Sequence, residues 1–238
     1  MIQCEYLIAH VLFGQEPIWQ TLSRGLIRSI HRNTSANGLK KQVQNPVMGN
    51  LTYAQPQHVA NFNKLAHWRK IVHQADCPLV LVDADCLVLG QVDCAFEKED
   101  RDIILTSRGN KWVNAGVVFV RPGEVAQRFF DEWVWEDEQV LYRGRKERKP
   151  DTPYHIVGQN QISLWNIYRD WEQHIGWVDC ETYNSCEDRY WRNHQLAKVI
   201  HVKSALRVEL KKALIGRKVR RYPELVGRIA SYYDGLSS

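Results

Sequence analysis

The chain of 238 residues lacks the long apolar runs, paired cysteines and biased segments that mark several protein classes. Its longest nearly apolar stretch, residues 78–89, is broken by Asp83 and Asp85. Nothing in it reaches the ~20 apolar residues that a bilayer-spanning helix requires. Residues 1–6 show no basic stretch leading into an apolar one, so no secretory leader is expected there. The six cysteines, at 4, 77, 86, 94, 180 and 186, contain no C-x-x-C. That argues against a zinc ribbon or a secreted disulfide framework, and for reduced thiols in a cytoplasmic protein. No internal repeat or low-complexity tract is present. A hydrophobic share of 44% and a charged share of 25% exclude a disordered or fibrous chain. The net charge of +5 is unevenly spread, which favours an anionic partner.

What is present alternates between short apolar runs and amphipathic stretches. Residues 5–11 read as a strand. Pro17 opens a helix through about 31, with proline at its favoured first-turn position. Residues 34–50 read as loop with room for one short strand. Residues 58–75 are helical, with Val59, Phe62 and Ala66 on one face. The continuous apolar run 79–82 marks a central strand buried on both faces. Strands are also expected at 103–105 and 113–120. Pro122 then opens a helix on which Val125, Phe129 and Trp133 recur every four residues. Residues 142–153 read as a basic loop and 159–169 as a helix. Short strands follow at 177–178 and 197–200, and a last helix at 223–232. This alternation predicts an α/β fold around a mostly parallel, mixed sheet flanked by helices. One domain over residues 1–210 carries a basic C-terminal extension, 211–238, packed on it or following it.

The sharpest chemical feature is Asp83-Ala84-Asp85, directly after the buried strand. In extended chain, residues i and i+2 point to the same side, so both carboxylates can converge on one cation. Ligands of open α/β sheets collect beyond the carboxyl ends of the strands, where these two residues fall. Carboxylate oxygens suit Mg²⁺ or Mn²⁺, ions that commonly hold substrate phosphates as well. By itself the pattern also describes two solvated turn aspartates.

Several short motifs in order make the chain resemble glycosyltransferase family 8, the glycogenin-like retaining enzymes with the Rossmann-like GT-A fold. These are Asn63-Lys64-Leu65-Ala66-His67-Trp68, then Leu81-Val82-Asp83-Ala84-Asp85-Cys86-Leu87-Val88-Leu89 with Asp93 and Phe96. Next come Asn114-Ala115-Gly116-Val117-Val118-Phe119, Gln159-Asn160-Gln161, Tyr183-Asn184, and Ile200-His201 with Arg207. The resemblance spans residues 60 to 207. It implies a UDP-sugar donor, UDP-glucose for example, held by Mn²⁺ or Mg²⁺, with Asp83, Asp85 and His201 as the metal ligands. Lys64, Ala84, Asn114, Ala115, Gly116 and Lys203 are implied to face the donor. Arg207 stands where the family has a lysine that stabilises the departing diphosphate, and Gln161 matches the glutamine beneath the anomeric carbon.

Asn160 departs from the family pattern, which has an acid there. A double displacement needs a carboxylate nucleophile on the far face of the sugar, and neither Asn160 nor Gln161 supplies one. Front-face substitution with retention is therefore expected, unless another carboxylate such as Glu181 has moved in. The acceptor is open between a saccharide and a hydroxylated base in nucleic acid. Two basic stretches, 143–149 and 203–228, favour an anionic one. Two other readings compete: a non-catalytic nucleic-acid binder on the same fold, and a haloacid-dehalogenase phosphatase. The phosphatases also place Asp-x-Asp after a buried strand, but prefer Thr or Val where this chain has Leu87.

Overall fold

The computed structural model describes residues 6–13, 17–43, 56–109, 112–143 and 158–233. The expected basic loop at 142–153 falls largely outside them, as does Cys4. The N-terminal half runs β1 (Leu7–Phe13), α1 (Pro17–Asn33), β2 (Asn37–Val43), α2 (Pro56–Gln74), β3 (Leu79–Val82) and β4 (Cys86–Val88). Then follow α3 (Cys94–Lys98), β5 (Ile103–Ser107), β6 (Val113–Val120), α4 (Glu124–Arg143) and α5 (Gln159–Ile167). The remainder is β7 (Ile175–Asp179), α6 (Cys180–Tyr183), α7 (Asp188–Trp191), β8 (Val199–His201), α8 (Ser204–Leu214) and α9 (Pro223–Ala230).

Six strands form one sheet in the order β2-β1-β3-β6-β5-β7, and β4 pairs with β8 in a separate ribbon. The pairs β1–β2, β1–β3 and β5–β7 are parallel, whereas β6 runs antiparallel to both β3 and β5. The fold is thus a single-domain α/β structure with a mixed sheet between helical layers. Strand β3 is central and wholly buried, which is why its sequence is unbroken Leu79-Val80-Leu81-Val82. Side chains of a strand alternate in direction. Leu79 and Leu81 enter the core formed with α2, α4 and α5. Val80 and Val82 enter the opposite core, with α1, α3 and the β4–β8 ribbon.

Five elements are absent from the sequence reading: the three-residue β4, the five-residue α3, the four-residue α6 and α7, and the helix α8. The first four are too short for a periodic signal. Helix α8 has Lys211 and Lys212 beside apolar Leu206 and Leu210, and runs across the expected boundary at 210. With α9 it shares a core containing Leu22 of α1. Against α1, the ring of Tyr233 lies so close to Gly25 that a Cβ there would stand 2.2 Å from Cε1. The Tyr232 carbonyl accepts from Arg28, and the Tyr232 hydroxyl from Asn33.

This contact makes a test. In an open helix Gly→Ala stabilises by about 1 kcal/mol, but overpacking a full core costs about 1–3 kcal/mol. Gly25→Ala is expected to lower the melting temperature by roughly 2–8 °C, measured by circular dichroism. An unchanged or raised value would contradict the packing of residue 233 on α1.

Candidate active site

The first site residue is placed by the sheet. At the end of β3, the Asp83 N–H donates to the Gly116 carbonyl on β6 at 2.9 Å. The chain does not continue extended, as the i, i+2 argument supposes. Cys86 N–H donates to the Asp83 carbonyl at 3.0 Å, which closes a turn through Ala84 and Asp85. What brings the two carboxylates together is therefore the ribbon that follows. Cys86 pairs with His201, and the Val202 N–H donates to the Asp85 carbonyl at 2.7 Å.

The two carboxylates and the His201 imidazole offer ligand atoms that all lie within 4.8 Å of one another. His201 Nε2 is 3.0 Å from Asp85 Oδ1 and 3.6 Å from Asp83 Oδ2. Its other nitrogen, Nδ1, meets Asn184 Oδ1 at 3.3 Å. The Asn184 amide is oriented in turn, because its Nδ2 donates to the Thr106 hydroxyl at 3.1 Å. The amide oxygen on Nδ1 accepts a hydrogen bond from the ring and so sets its orientation, with Nε2 facing the two carboxylates.

Space for this ring comes from β6. Leu105 pairs with Val118 while Thr106 pairs with Asn114, so Ala115, Gly116 and Val117 form an excursion with no partner on β5. Such bulges bend a strand next to working sites. A Cβ on Gly116 would lie 2.8 Å from His201 Nδ1, so only glycine permits this approach. Asn114 is turned inward: its Oδ1 accepts from the Gly116 N–H at 3.0 Å and its Nδ2 donates to Cys186 Sγ at 3.1 Å. It supports the excursion and does not project as a free donor-facing amide. A hydrogen bond from Cys180, with Lys203, Arg108 and His201 nearby, brings the Cys186 thiol down to about 5 in spite of its burial, so it is a ready acceptor for Asn114.

Cations neutralise the acids. Lys64 Nζ is 2.6 Å from Asp83 Oδ1, and sits 4.5 Å from the ring centre of Trp68 one turn along α2. Arg207 on α8 bonds Asp85 Oδ2, donates through Nε to the Val202 carbonyl at 3.0 Å, and stacks 4.7 Å from the Trp19 ring centre. Ser204 opens α8 with a left-handed φ of 49°. A serine there costs of order 1 kcal/mol, and the sharp turn returns Arg207 to the carboxylates. Burial pushes the Asp85 carboxyl up, but the charge and hydrogen bond of His201 and the Arg207 guanidinium outweigh it and hold it at about 2. Asp85 is consequently ionised across the working pH range. Lys203, just before α8, is half-buried, and its charge reaches Cys86 and Cys186.

The amides predicted to face the sugar, Asn160 and Gln161, lie in the first turn of α5, with Asn160 buried and Gln161 half-buried. Lys64 links this turn to the acidic pair: it binds Asp83, and its charge also bears on Asp137, whose carboxyl holds Gln159. Asp137 and Asn184 are the residues around this site that sequence reasoning undervalues. Asp137 has a readable signal. It interrupts an apolar face that runs Ala126, Phe130, Trp133, Val140 along α4. Glu181, weighed as a substitute acid, is half-buried and accepts from the exposed Asn193 instead.

Two oxygens of opposed carboxylates plus one imidazole nitrogen form a donor set that suits Mn²⁺ or Mg²⁺, with the remaining positions left for substrate oxygens. No family model matches the sequence, and no curated protein does. In structure the chain is similar to a glycosyltransferase involved in the glycosylation of the major capsid of PBCV-1, at 12% identity and a TM-score of 0.59 over 94% of this chain and 98% of that one. It is also similar to the galactosyltransferase LgtC, solved with donor and acceptor sugar analogs, at 12% identity and a TM-score of 0.54 over 94% and 95% of the two chains. At that identity what is shared is the fold, the GT-A arrangement of mixed sheet and helices.

The geometry makes metal affinity testable without turnover. Asp85→Asn and His201→Ala are each expected to weaken Mn²⁺ binding in the presence of UDP by tenfold or more, and Asn184→Ala by about 10–100-fold, as loss of a ligand-orienting group does. Calorimetric titration reads this. Equal affinity in wild type and Asp85→Asn would contradict the site.

Proposed function

We propose that the chain is a metal-assisted glycosyltransferase of the family 8 type, which moves a sugar from a UDP-sugar to an acceptor hydroxyl with retention of anomeric configuration. The observation that carries this reading is the convergence of Asp83, Asp85 and His201 within 4.8 Å, flanked by Lys64 and Arg207. Shared fold with known glycosyltransferases supports it.

Asp83, Asp85 and His201 would hold the divalent ion, which when bound offsets the charge of the diphosphate. Breaking the sugar–phosphate bond leaves extra negative charge on the β-phosphate oxygens, and fixed cations in a water-poor site stabilise it most. Arg207 would do that, and its hold by Val202, Trp19 and Asp85 supports the reading. Lys203 adds charge on the same side. Lys64 would exchange part of its bond to Asp83 for the donor. On the sugar side, Asn160 and Gln161 present amide dipoles and no carboxylate. The acceptor oxygen therefore enters on the face the diphosphate leaves, giving its proton to the departing phosphate oxygen as the new bond forms to the anomeric carbon. Asn160 is also the one feature that favours a non-catalytic binder, and donor turnover separates the two.

For the acceptor we favour an anionic molecule, nucleic acid or charged saccharide, because Lys211, Arg217, Lys218, Arg220 and Arg221 are all exposed or half-buried around α8 and the turn after it. The ion is proposed as Mn²⁺ or Mg²⁺ and the location as cytoplasmic. Among the described residues, no helix is long and apolar enough to cross a membrane.

The experiment is release of UDP from UDP-glucose with Mn²⁺. Arg207→Ala is expected to lower kcat by about 10²–10³, the usual cost of losing one fixed charge-stabilising donor. Arg207→Lys, which restores the charge without the fork, is expected to recover most of that loss. The product should keep the α configuration by NMR. No turnover in wild type, or an inverted product, would overturn the reading.

A further inference from the structure

The turn that carries Asn160 and Gln161 is held from behind by an acid the proposed chemistry does not use. Asp137, on α4, is 0% exposed. Its Oδ1 accepts from the Ser163 hydroxyl at 2.6 Å and its Oδ2 from Gln159 Nε2 at 2.9 Å. The same amide donates to the Asp137 backbone carbonyl at 3.3 Å. One turn earlier, Trp133 Nε1 donates to the Asn160 carbonyl and to the Ser163 hydroxyl, each at 3.1 Å. These bonds bracket Asn160 and Gln161 on both sides. A carboxylate beside the first turn of a helix also meets the positive end of its dipole.

Burying a carboxyl is expensive, and an amide or a leucine would have filled the same place at less cost. Burial pushes the Asp137 carboxyl up to about 7, although the Ser163 and Gln159 hydrogen bonds and the Lys64 charge from α2 pull it down; Glu136 on its own helix pushes it further up. From α5 only the uncharged Ser163 and Gln159 donate to it. Both protonation states have a hydrogen-bonding solution. The ionised carboxylate accepts from Ser163 and Gln159 as described. Among the described residues, Gln159 Oε1 is buried without a partner. A protonated Asp137 can donate to that oxygen once the Gln159 amide has turned over.

We propose that Asp137 is a positioning residue for the proposed sugar transfer: from outside the pocket it fixes the first turn of α5, so that Asn160 and Gln161 stand where the donor sugar must lie. The inference rests on the glycosyltransferase reading for its consequence, and on the hydrogen bonds alone for the clamp. The ionised form, with every donor aimed at it, holds the turn tightest. Turnover therefore rises with pH as Asp137 ionises near 7. Stability runs the other way: the unfolded residue ionises near 3.9, so the fold loses stability as pH rises from about 4 to about 7. A merely structural acid would give no such opposition.

The test compares wild type with Asp137→Ala and Asp137→Asn, reading UDP release from UDP-glucose and Mn²⁺ between about pH 5.5 and 8.5. Hydrogen exchange of residues 160–163 is followed in the same proteins. Asp137→Ala should lower kcat by about tenfold or more with KM within about threefold, because small misplacements of reacting groups are that costly. It should also speed exchange at 160–163 while leaving β6 unchanged. Asp137→Asn keeps an acceptor for Ser163 and can donate to Gln159 Oε1 as the protonated acid does, so its kcat should exceed that of Asp137→Ala, stay near the low-pH value of wild type, and show a flattened inflection near pH 7. A kcat for Asp137→Ala within twofold of wild type overturns the proposal, as does an undiminished inflection in Asp137→Asn. If Asp137→Ala does not fold, Asp137→Asn alone decides by its pH profile. If wild type releases no UDP, the glycosyltransferase reading fails with the positioning role, and the exchange comparison still shows whether the clamp exists.

Discussion

Two ionised carboxylates a few ångströms apart in a partly buried setting repel strongly, and a protein keeps them so only by surrounding them with positive charge. Asp83 and Asp85 are held in that way. Lys64 bonds the first, Arg207 the second, and the His201 ring faces both. Each of these partners comes from a different element: α2, α8 and β8. The acidic pair thereby ties α2 to β8 and α8, elements far apart in the chain. The same arrangement would suit the proposed nucleoside-diphosphate sugar, because a cation and a diphosphate could take over the charges that now balance each other.

The sheet makes this convergence geometrically possible. An antiparallel β6 beside β3 places the Gly116 carbonyl against the Asp83 N–H, and the three-residue excursion at 115–117 opens room for the imidazole. The Thr106–Asn184–His201 chain then sets which ring nitrogen points at the acids. On the far side, α4 supports the first turn of α5 through Trp133 and Asp137. The residues proposed to face the substrate thus rest on hydrogen-bonded neighbours that are themselves buried, which limits their freedom before any ligand arrives.

Much of this was legible in order, less in mechanism. The unbroken Leu79–Val82 run announced a central strand, and Asp83, Asp85 and His201 do meet. The expected reason was different: the acids sit in a turn, and long-range pairing of β4 with β8 aligns them, which no local periodicity encodes. Asn114, expected to face the sugar, bonds the Gly116 N–H and Cys186, a supporting role that its sequence position does not announce. Helix α8 was hidden because its charged face outweighs a narrow apolar stripe of Leu206 and Leu210. Asp137 interrupts an apolar face, and only the partners at Gln159 and Ser163 reveal why an acid belongs there.

The most direct measurement is anomalous diffraction from crystals soaked with UDP and Mn²⁺. The account predicts one strong peak bonded to Asp83, Asp85 and His201 Nε2, with diphosphate oxygens completing the shell beside Arg207. Manganese bound elsewhere, or UDP bound with these three side chains uninvolved, would contradict it.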